Sequence, residues 1–102
     1  MEQNLYMPVP AVIEDIVVET PDIKTFRIRP ATPVPFKAGQ FVELAVPGFG
    51  EAPFTPSSSP KISEHMEITI MRTGRVTDRL HMMAAGEAVG VRGPMGRAGW
   101  PS

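Results

Sequence analysis

The chain has 102 residues, 42% of them hydrophobic, a formal net charge of −1 and no cysteine. This composition predicts one globular domain and argues against a nucleic-acid-binding protein, a disulfide, a thiol nucleophile and a cysteine-held metal or cluster. No apolar run approaches the roughly 18 residues that span a bilayer, and no signal-peptide pattern opens the chain, so we expect a cytoplasmic protein without membrane insertion.

Twelve prolines divide the chain into short segments in which hydrophobic and polar residues alternate, as they do in half-buried strands. The most regular segments, which we predict to be strands, are 11–20, 23–30, 40–47, 66–73 and 87–94. Phe26 and Ile28 share one face of the second segment, and Val42, Leu44 and Val46 form the core face of the third. About six short strands predict an all-β domain, a six-stranded antiparallel Greek-key β-barrel, because closure removes long exposed edges.

One segment breaks this alternation and predicts a short helix over about residues 76–85. The apolar residues that recur there at helical spacing are Val76, Leu80, Met83 and Ala84. Thr77 stands where an N-cap residue is expected, and Gly86 follows as a glycine that ends a helix. Asp78 and His81 lie three residues apart on this helix, so we expect a surface pair rather than an acid–base couple.

The turn before this helix has the features of an anion site. The first amides of a helix lack internal partners and carry partial positive charge, which favours phosphate. Arg75 adds a cation beside Gly74, and Thr77 adds a hydroxyl. The arginines from Met71 onward outnumber the two acids in the same segment, and they are Arg72, Arg75, Arg79, Arg92 and Arg97. The alternative is that Gly74 only permits a tight turn and the arginines are a solvated surface.

Four segments, taken in order, resemble the flavin-binding domain of the ferredoxin–NADP reductase superfamily. They are FKAGQFVEL (36–44), EAPFTPSSS (51–59), GRVTDRLHMM (74–83) and VRGPMG (91–96). The chain looks most like sulfhydrogenase gamma subunits and anaerobic sulfite reductase B subunits, and less closely like the electron-transfer subunit of dihydroorotate dehydrogenase. The resemblance implies an FAD-binding β-barrel domain over residues 1–102, with FMN a less favoured cofactor.

The resemblance also implies how the flavin is held. Phe54 matches the aromatic residue that packs on the isoalloxazine. Thr55 matches the residue whose hydroxyl lies near the reactive nitrogen of that ring, and it is the one residue to which the resemblance gives a catalytic role. Ala52, with Glu51 beside it, stands where the family has an arginine that pairs with the pyrophosphate. The turn before the helix is therefore expected to bind the pyrophosphate in place of that arginine. The implied flavin-binding residues are Pro53, Phe54, Thr55, Ser57, Ser58, Met71, Gly74, Arg75, Val76 and Thr77.

The function implied is that of a flavin-dependent NAD(P)H oxidoreductase subunit that exchanges electrons with an iron–sulfur, hydrogenase or sulfite-reductase partner. In the family, a nicotinamide-binding domain follows the Gly-Pro-x-Gly segment, and these relatives carry cluster-binding cysteines beyond it. This chain has neither, so we expect an excised domain, inactive alone, rather than a stand-alone module. The alternatives are an electron-transfer subunit of the dihydroorotate dehydrogenase type and a cofactor-free β-barrel that binds a protein or an oligonucleotide.

Overall fold

A computed structural model of the chain describes residues 7–62 and 64–96. These residues form β1 (Val9–Thr20), β2 (Ile23–Pro30), β3 (Phe41–Val46), β4 (Gly50–Phe54), β5 (Met66–Met71), α1 (Arg75–Met82) and β6 (Ala88–Met95). Each predicted strand is present within two residues of its predicted ends, and the all-β class with one short helix is confirmed. No helix in the described ranges is long and apolar enough to cross a membrane.

The strands form one antiparallel sheet in the order β4-β3-β6-β1-β2-β5. The last strand lies between β1 and β3, which is the Greek-key arrangement. The two edge strands, β4 and β5, are brought together at two points, one between β5 and the segment after β4, the other between β4 and α1. Ser57 N–H donates to the Glu67 carbonyl at 2.7 Å, and a Cβ built on Gly50 would lie 3.8 Å from Val76 Cγ2. These contacts curl the sheet into a barrel, and the gap between residues 50–58 and 67–77 is termed the β4–β5 seam.

Alternate residues of the strands fill the barrel, as the sequence pattern predicts. The predicted core faces of β2, β3 and β5 are buried, and their side chains are Phe26, Ile28, Val42, Leu44, Val46, Met66, Ile68 and Ile70. The helix adds Leu80, and Met83 follows directly after the helix ends. Burying a side chain of this size contributes about 1.5–3 kcal/mol, so this shared core holds the two edges of the sheet in place.

The helix begins one residue earlier and ends three residues earlier than predicted. The predicted N-cap was wrong, because Gly74 occupies that position and Thr77 is the third helical residue. The Thr77 hydroxyl accepts the Gly74 N–H at 2.9 Å, which is the reciprocal half of a capping box. Met83 adopts an extended conformation and ends the helix, while Gly86 lies in the turn before β6 and donates its N–H to the Ile13 carbonyl.

The predicted surface pair on this helix was also wrong. His81 is only 6% exposed, its Nε2 lies 2.8 Å from the Ile70 carbonyl oxygen, and its ring lies 6.0 Å from that of Phe26. Asp78 instead pairs with Arg72 at 3.3 Å. The histidine turns inward because the Ile70 carbonyl of β5 provides a hydrogen-bond partner for its ring there.

Candidate functional site at the β4–β5 seam

The β4–β5 seam brings together the two parts of the chain in which the sequence places the site. Residues 53–58 lie on its β4 side and residues 71–77 on its β5 side, where Met71 is exposed as the last residue of β5. Between the contacts at its two ends, no main-chain hydrogen bond joins these edges within the described residues. Because unpaired strand edges present N–H and C=O groups, the seam is a slot with polar walls.

One end of the seam carries an aromatic ring beside a hydroxyl. Phe54 lies opposite Val42 and packs partly on the core, so its ring is fixed while part of it stays accessible. Thr55 is exposed next to it. Together with Pro53 and Phe41 they line an open concavity of about 340 Å³. A mostly apolar concavity with a few polar groups suits a flat ligand that must also be oriented.

The serine hydroxyls that follow Thr55 close this end of the seam. Ser57 donates its N–H and its hydroxyl to the Glu67 carbonyl, at 2.7 and 3.1 Å. Ser58 Oγ accepts the Glu67 N–H at 3.0 Å. In this structure the two serines therefore fix the shape of the seam, and their contact with a flavin ring stays a prediction.

The other end of the seam is the start of α1. The first helical hydrogen bond runs from Asp78 N–H to the Gly74 carbonyl at 2.7 Å, so the amides of Arg75, Val76 and Thr77 lack intrahelical partners. A Cβ built on Gly74 would meet no atom within 4 Å, so the space beside these amides is open. The amides and the helix dipole together favour phosphate oxygens at this end.

The Thr77 hydroxyl is already occupied within the turn. It is 7% exposed, accepts the N–H groups of Thr73 at 2.8 Å and Gly74 at 2.9 Å, and donates to the Gly74 carbonyl at 3.1 Å. A hydroxyl has one donor and two acceptor sites, and all three are used here. Thr77 therefore shapes the turn that presents the amides, and its main-chain N–H is the group left to meet a ligand.

Arg75 is the cation at the helix-start end of the seam. Three of the five arginines counted in the sequence are paired with carboxylates, and these pairs are Arg72–Asp78 (3.3 Å), Arg79–Glu87 (3.4 Å) and Arg92–Glu51 (2.6 Å). Within the described residues Arg75 has no carboxylate partner, and its Nη2 donates to the Gly48 carbonyl at 3.4 Å. Arg97 lies outside the described residues. Among the described arginines of this region, Arg75 is therefore the one whose charge is not matched by a carboxylate.

The position that lacks the family's arginine lies midway along the seam. Ala52 stands opposite Leu44 and is half-buried, while the adjacent Glu51 side chain meets Arg92 through both carboxylate oxygens, at 2.6 and 3.2 Å. The hydrogen bond from Arg92 lowers the pKa of Glu51 below its ordinary value of 4.5. The negative charge of the Glu51 carboxylate is thus neutralised by Arg92, so it repels a phosphate bound near Arg75 only weakly.

Two aromatic residues at the seam were not predicted from the sequence. Phe41 lines the concavity, and Phe49 stands 39% exposed in the turn between β3 and β4. The Arg75 and Arg79 guanidinium carbons each lie 5.6 Å from the Phe49 ring centroid. For Phe49 the available signal was the Gly-Phe-Gly triplet at 48–50, because glycines on both sides of an aromatic residue indicate a turn that exposes it.

Known proteins resemble this chain over nearly its whole length. Residues 10–100 match the family described as oxidoreductase FAD-binding domain. The chain is 39% identical over 93 residues to a probable dihydroorotate dehydrogenase B (NAD(+)) electron transfer subunit of Methanocella arvoryzae, covering 91% of this chain and 33% of that protein. It is 47% identical over 66 residues to the sulfhydrogenase 1 subunit gamma of Pyrococcus furiosus, covering 65% and 22% respectively. The chain thus spans a third or less of the length of these relatives.

Solved structures share the architecture. An Amycolatopsis cytochrome P450 reductase superposes with a TM-score of 0.80 at 28% identity, over 89% of this chain and 29% of that one. The cytochrome b5 reductase domain of Ulva prolifera nitrate reductase superposes with a TM-score of 0.79 at 16% identity, over 91% and 42%, and shows the fold. The resemblance inferred from the four sequence segments is confirmed, and the chain belongs to the oxidoreductase FAD-binding domain family of the ferredoxin reductase superfamily.

Proposed function

We propose that the chain binds FAD along the β4–β5 seam and serves as the flavin module of an electron-transfer oxidoreductase. The observation that carries this proposal is the order of groups along the seam. Phe54 and Thr55 lie at one end, and the helix-start amides with Arg75 lie at the other. A flavin nucleotide needs the same order, a flat apolar surface with a polar contact for its ring and then donors for its phosphates.

In this proposal the residues at the Phe54 end hold and orient the ring. Phe54 is fixed by β3 and the core before binding, so little conformational entropy is lost when the ring packs on it. Pro53 and Phe41 keep water from that side of the ring. The Thr55 hydroxyl does not titrate near neutral pH, so it acts through a hydrogen bond to the polar edge of the ring. Bound FAD would supply the exchange between a two-electron hydride donor and one-electron carriers.

We further propose that the complete protein moves electrons between NAD(P)H and an iron–sulfur partner in a multi-subunit complex of hydrogenase or sulfite-reductase type. Sulfhydrogenase gamma subunits 1 and 2 of Pyrococcus furiosus support this, at 47% and 44% identity over 66 residues each. The nicotinamide site and the cluster would belong to parts of the protein beyond these residues. FAD rather than FMN is the cofactor that the family description supports.

A second candidate is the electron-transfer subunit of a dihydroorotate dehydrogenase. Alignment coverage favours it, because the Methanocella arvoryzae and Methanocaldococcus jannaschii relatives cover 91% and 87% of this chain. This candidate keeps the flavin and changes only the partner. Purification of the complete protein with its bound subunits would distinguish the two, since one partner oxidises dihydroorotate and the other turns over hydrogen or sulfite.

Reconstitution of the 102-residue chain with FAD tests the proposal. Titration followed by flavin fluorescence and visible absorption should show one FAD per chain. Thr55→Val should remove one hydrogen bond, about 0.5–1.5 kcal/mol of affinity, and shift the reduction potential of the bound flavin. Thr55→Ser keeps the hydroxyl, and it should retain both parent values. A folded chain that takes up no FAD would refute the proposal and favour the cofactor-free interaction module.

A further inference from the structure

An exposed aromatic ring with two arginines beside it lies next to the helix-start end of the seam. The turn between β3 and β4 presents the Phe49 ring, and the guanidinium carbons of Arg75 and Arg79 lie 5.6 Å from its centroid. These three side chains are termed the arginine–phenylalanine platform. Phe49 and Arg79 have no part in holding the flavin ring or in shaping the helix-start turn.

The turn holds Phe49 in a defined position. Gly48 and Gly50 have φ values of +82° and +107°, a region that other residues rarely adopt, so the backbone path here depends on glycine. Phe49 N–H donates to the Val46 carbonyl at 2.9 Å. Since the backbone of the turn is fixed before any ligand binds, a ligand that stacks on Phe49 loses little affinity through ordering of the turn.

The two arginines give the platform the chemistry of a nucleotide subsite. Arg79 is held near the ring by Glu87 at 3.4 Å, while Arg75 has no carboxylate partner in the described part of the chain. Planar guanidinium groups stack on aromatic rings and on nucleobases, and they also bind phosphate. A purine attached to a phosphate therefore matches the surface in both shape and charge.

The platform lies where such a group would arrive. Phe49 precedes Thr55 by six positions, which correspond to about 20 Å along an extended chain. The helix-start amides lie at the Phe49 end of this path, because Val76 packs beside Gly50. A flavin ring at Phe54 with its phosphates at these amides leaves the next part of the ligand at the platform. In FAD that part is adenosine, whereas FMN ends at its single phosphate.

We propose that Phe49, with Arg75 and Arg79, forms the adenosine subsite through which this chain selects FAD over FMN. The proposal rests on the proposed function, since it assumes that a flavin occupies the seam. It assigns Phe49 a role in cofactor specificity and none in the redox chemistry, and it predicts that FAD and FMN respond differently when the ring is removed.

Parallel titrations of the 102-residue chain with FAD and with FMN test this subsite. The parent should bind FAD more tightly, and Phe49→Ala should weaken FAD binding by about tenfold or more, as loss of base stacking on an aromatic ring does. FMN binding should change by less than about twofold, because FMN carries no base to stack there. Phe49→Tyr keeps the ring and should keep the preference for FAD. Met82→Ala removes a 78% exposed side chain from the last residue of α1, the helix that carries Arg75 and Arg79, and serves as the control for loss of an exposed apolar group.

Competition by ADP gives a second measurement that does not depend on a variant. ADP should displace FAD from the parent chain, and it should do so less effectively in Phe49→Ala. Equal losses of FAD and FMN affinity in Phe49→Ala, or no competition by ADP, would overturn the proposal. Equal affinity of the parent for FAD and FMN would also overturn it while leaving the flavin function intact. A parent that binds neither flavin would instead refute the proposed function itself.

Discussion

Replacing Arg75 with alanine should weaken FAD binding and leave the fold nearly unchanged. The side chain is exposed, and its contacts are a 3.4 Å hydrogen bond to Gly48 and the Phe49 ring. Surface substitutions of this kind usually change the free energy of unfolding by no more than about 0.5 kcal/mol. A hydrogen bond to a charged phosphate contributes about 1.5–3 kcal/mol, so the expected loss of affinity is about 10- to 150-fold.

The assay is a fluorescence titration of the apo-chain with FAD at low and at high salt. Arg72→Ala is the matched control, because Arg72 is exposed in the same turn but is already paired with Asp78 at 3.3 Å. It should lose much less affinity than Arg75→Ala. Higher salt should narrow the difference between Arg75→Ala and the parent, since salt screens charge interactions at an exposed site. Urea unfolding of each variant shows whether a change in affinity reflects a change in stability.

Two results would contradict this reasoning. Arg75→Ala could bind FAD as tightly as the parent at low salt, or Arg72→Ala could lose as much affinity as Arg75→Ala. In the first case the helix-start end of the seam is not where the phosphates bind. In the second case the net charge of the turn matters and the position of the Arg75 side chain does not.

Three further predictions concern stability. Thr77→Val should lower the free energy of unfolding by about 1–3 kcal/mol, because the buried hydroxyl makes three hydrogen bonds in the turn, and an unchanged urea midpoint would contradict this. His81→Leu should cost about 0.5–1.5 kcal/mol by removing the hydrogen bond between Nε2 and the Ile70 carbonyl, and a neutral result would mean that this bond contributes nothing to stability. The pKa of Glu51 is lowered below 4.5 by Arg92, so its contribution to stability should be complete above about pH 4.5 and disappear as the pH falls below its folded pKa. Urea unfolding from about pH 6 to about pH 3 should therefore show a smaller loss of stability for Glu51→Gln than for the parent, and equal losses would contradict the assignment.

The strands could be predicted from the sequence because alternation and proline breaks are local signals. Val42, Leu44 and Val46 are buried as their spacing requires, and their partners on neighbouring strands did not need to be known. The helix could be predicted in the same way, but its first residue could not. Thr77 is the third helical residue, and its hydroxyl accepts the N–H of the N-cap residue, Gly74. A threonine at the N-cap would also accept a main-chain N–H at the helix start, so the residue type alone does not reveal which of the two positions it occupies.

Other features depend on contacts between distant parts of the chain and could not be predicted. His81 faces the core because the Ile70 carbonyl lies beside it, which the spacing within one helix does not reveal. The hydroxyls of Ser57 and Ser58 bond to Glu67 only because the barrel brings the two edges of the sheet together. The sequence therefore located both sides of the candidate site but not which of its polar groups would already be occupied.

The hydrogen bonds that close the seam also set the direction in which a long ligand can lie. Beyond Thr55 the slot is closed by Ser57 and Glu67, whereas the space beside the amides at Gly74 is open. A ligand whose ring packs on Phe54 must therefore extend toward α1. Ala52 lies along that path and contributes neither a cation nor bulk, so the charge that meets the phosphates has to come from the helix start. In the proposed flavin site the helix start would thus compensate for the missing family arginine, and we expect phosphate binding to depend on the Arg75 side chain.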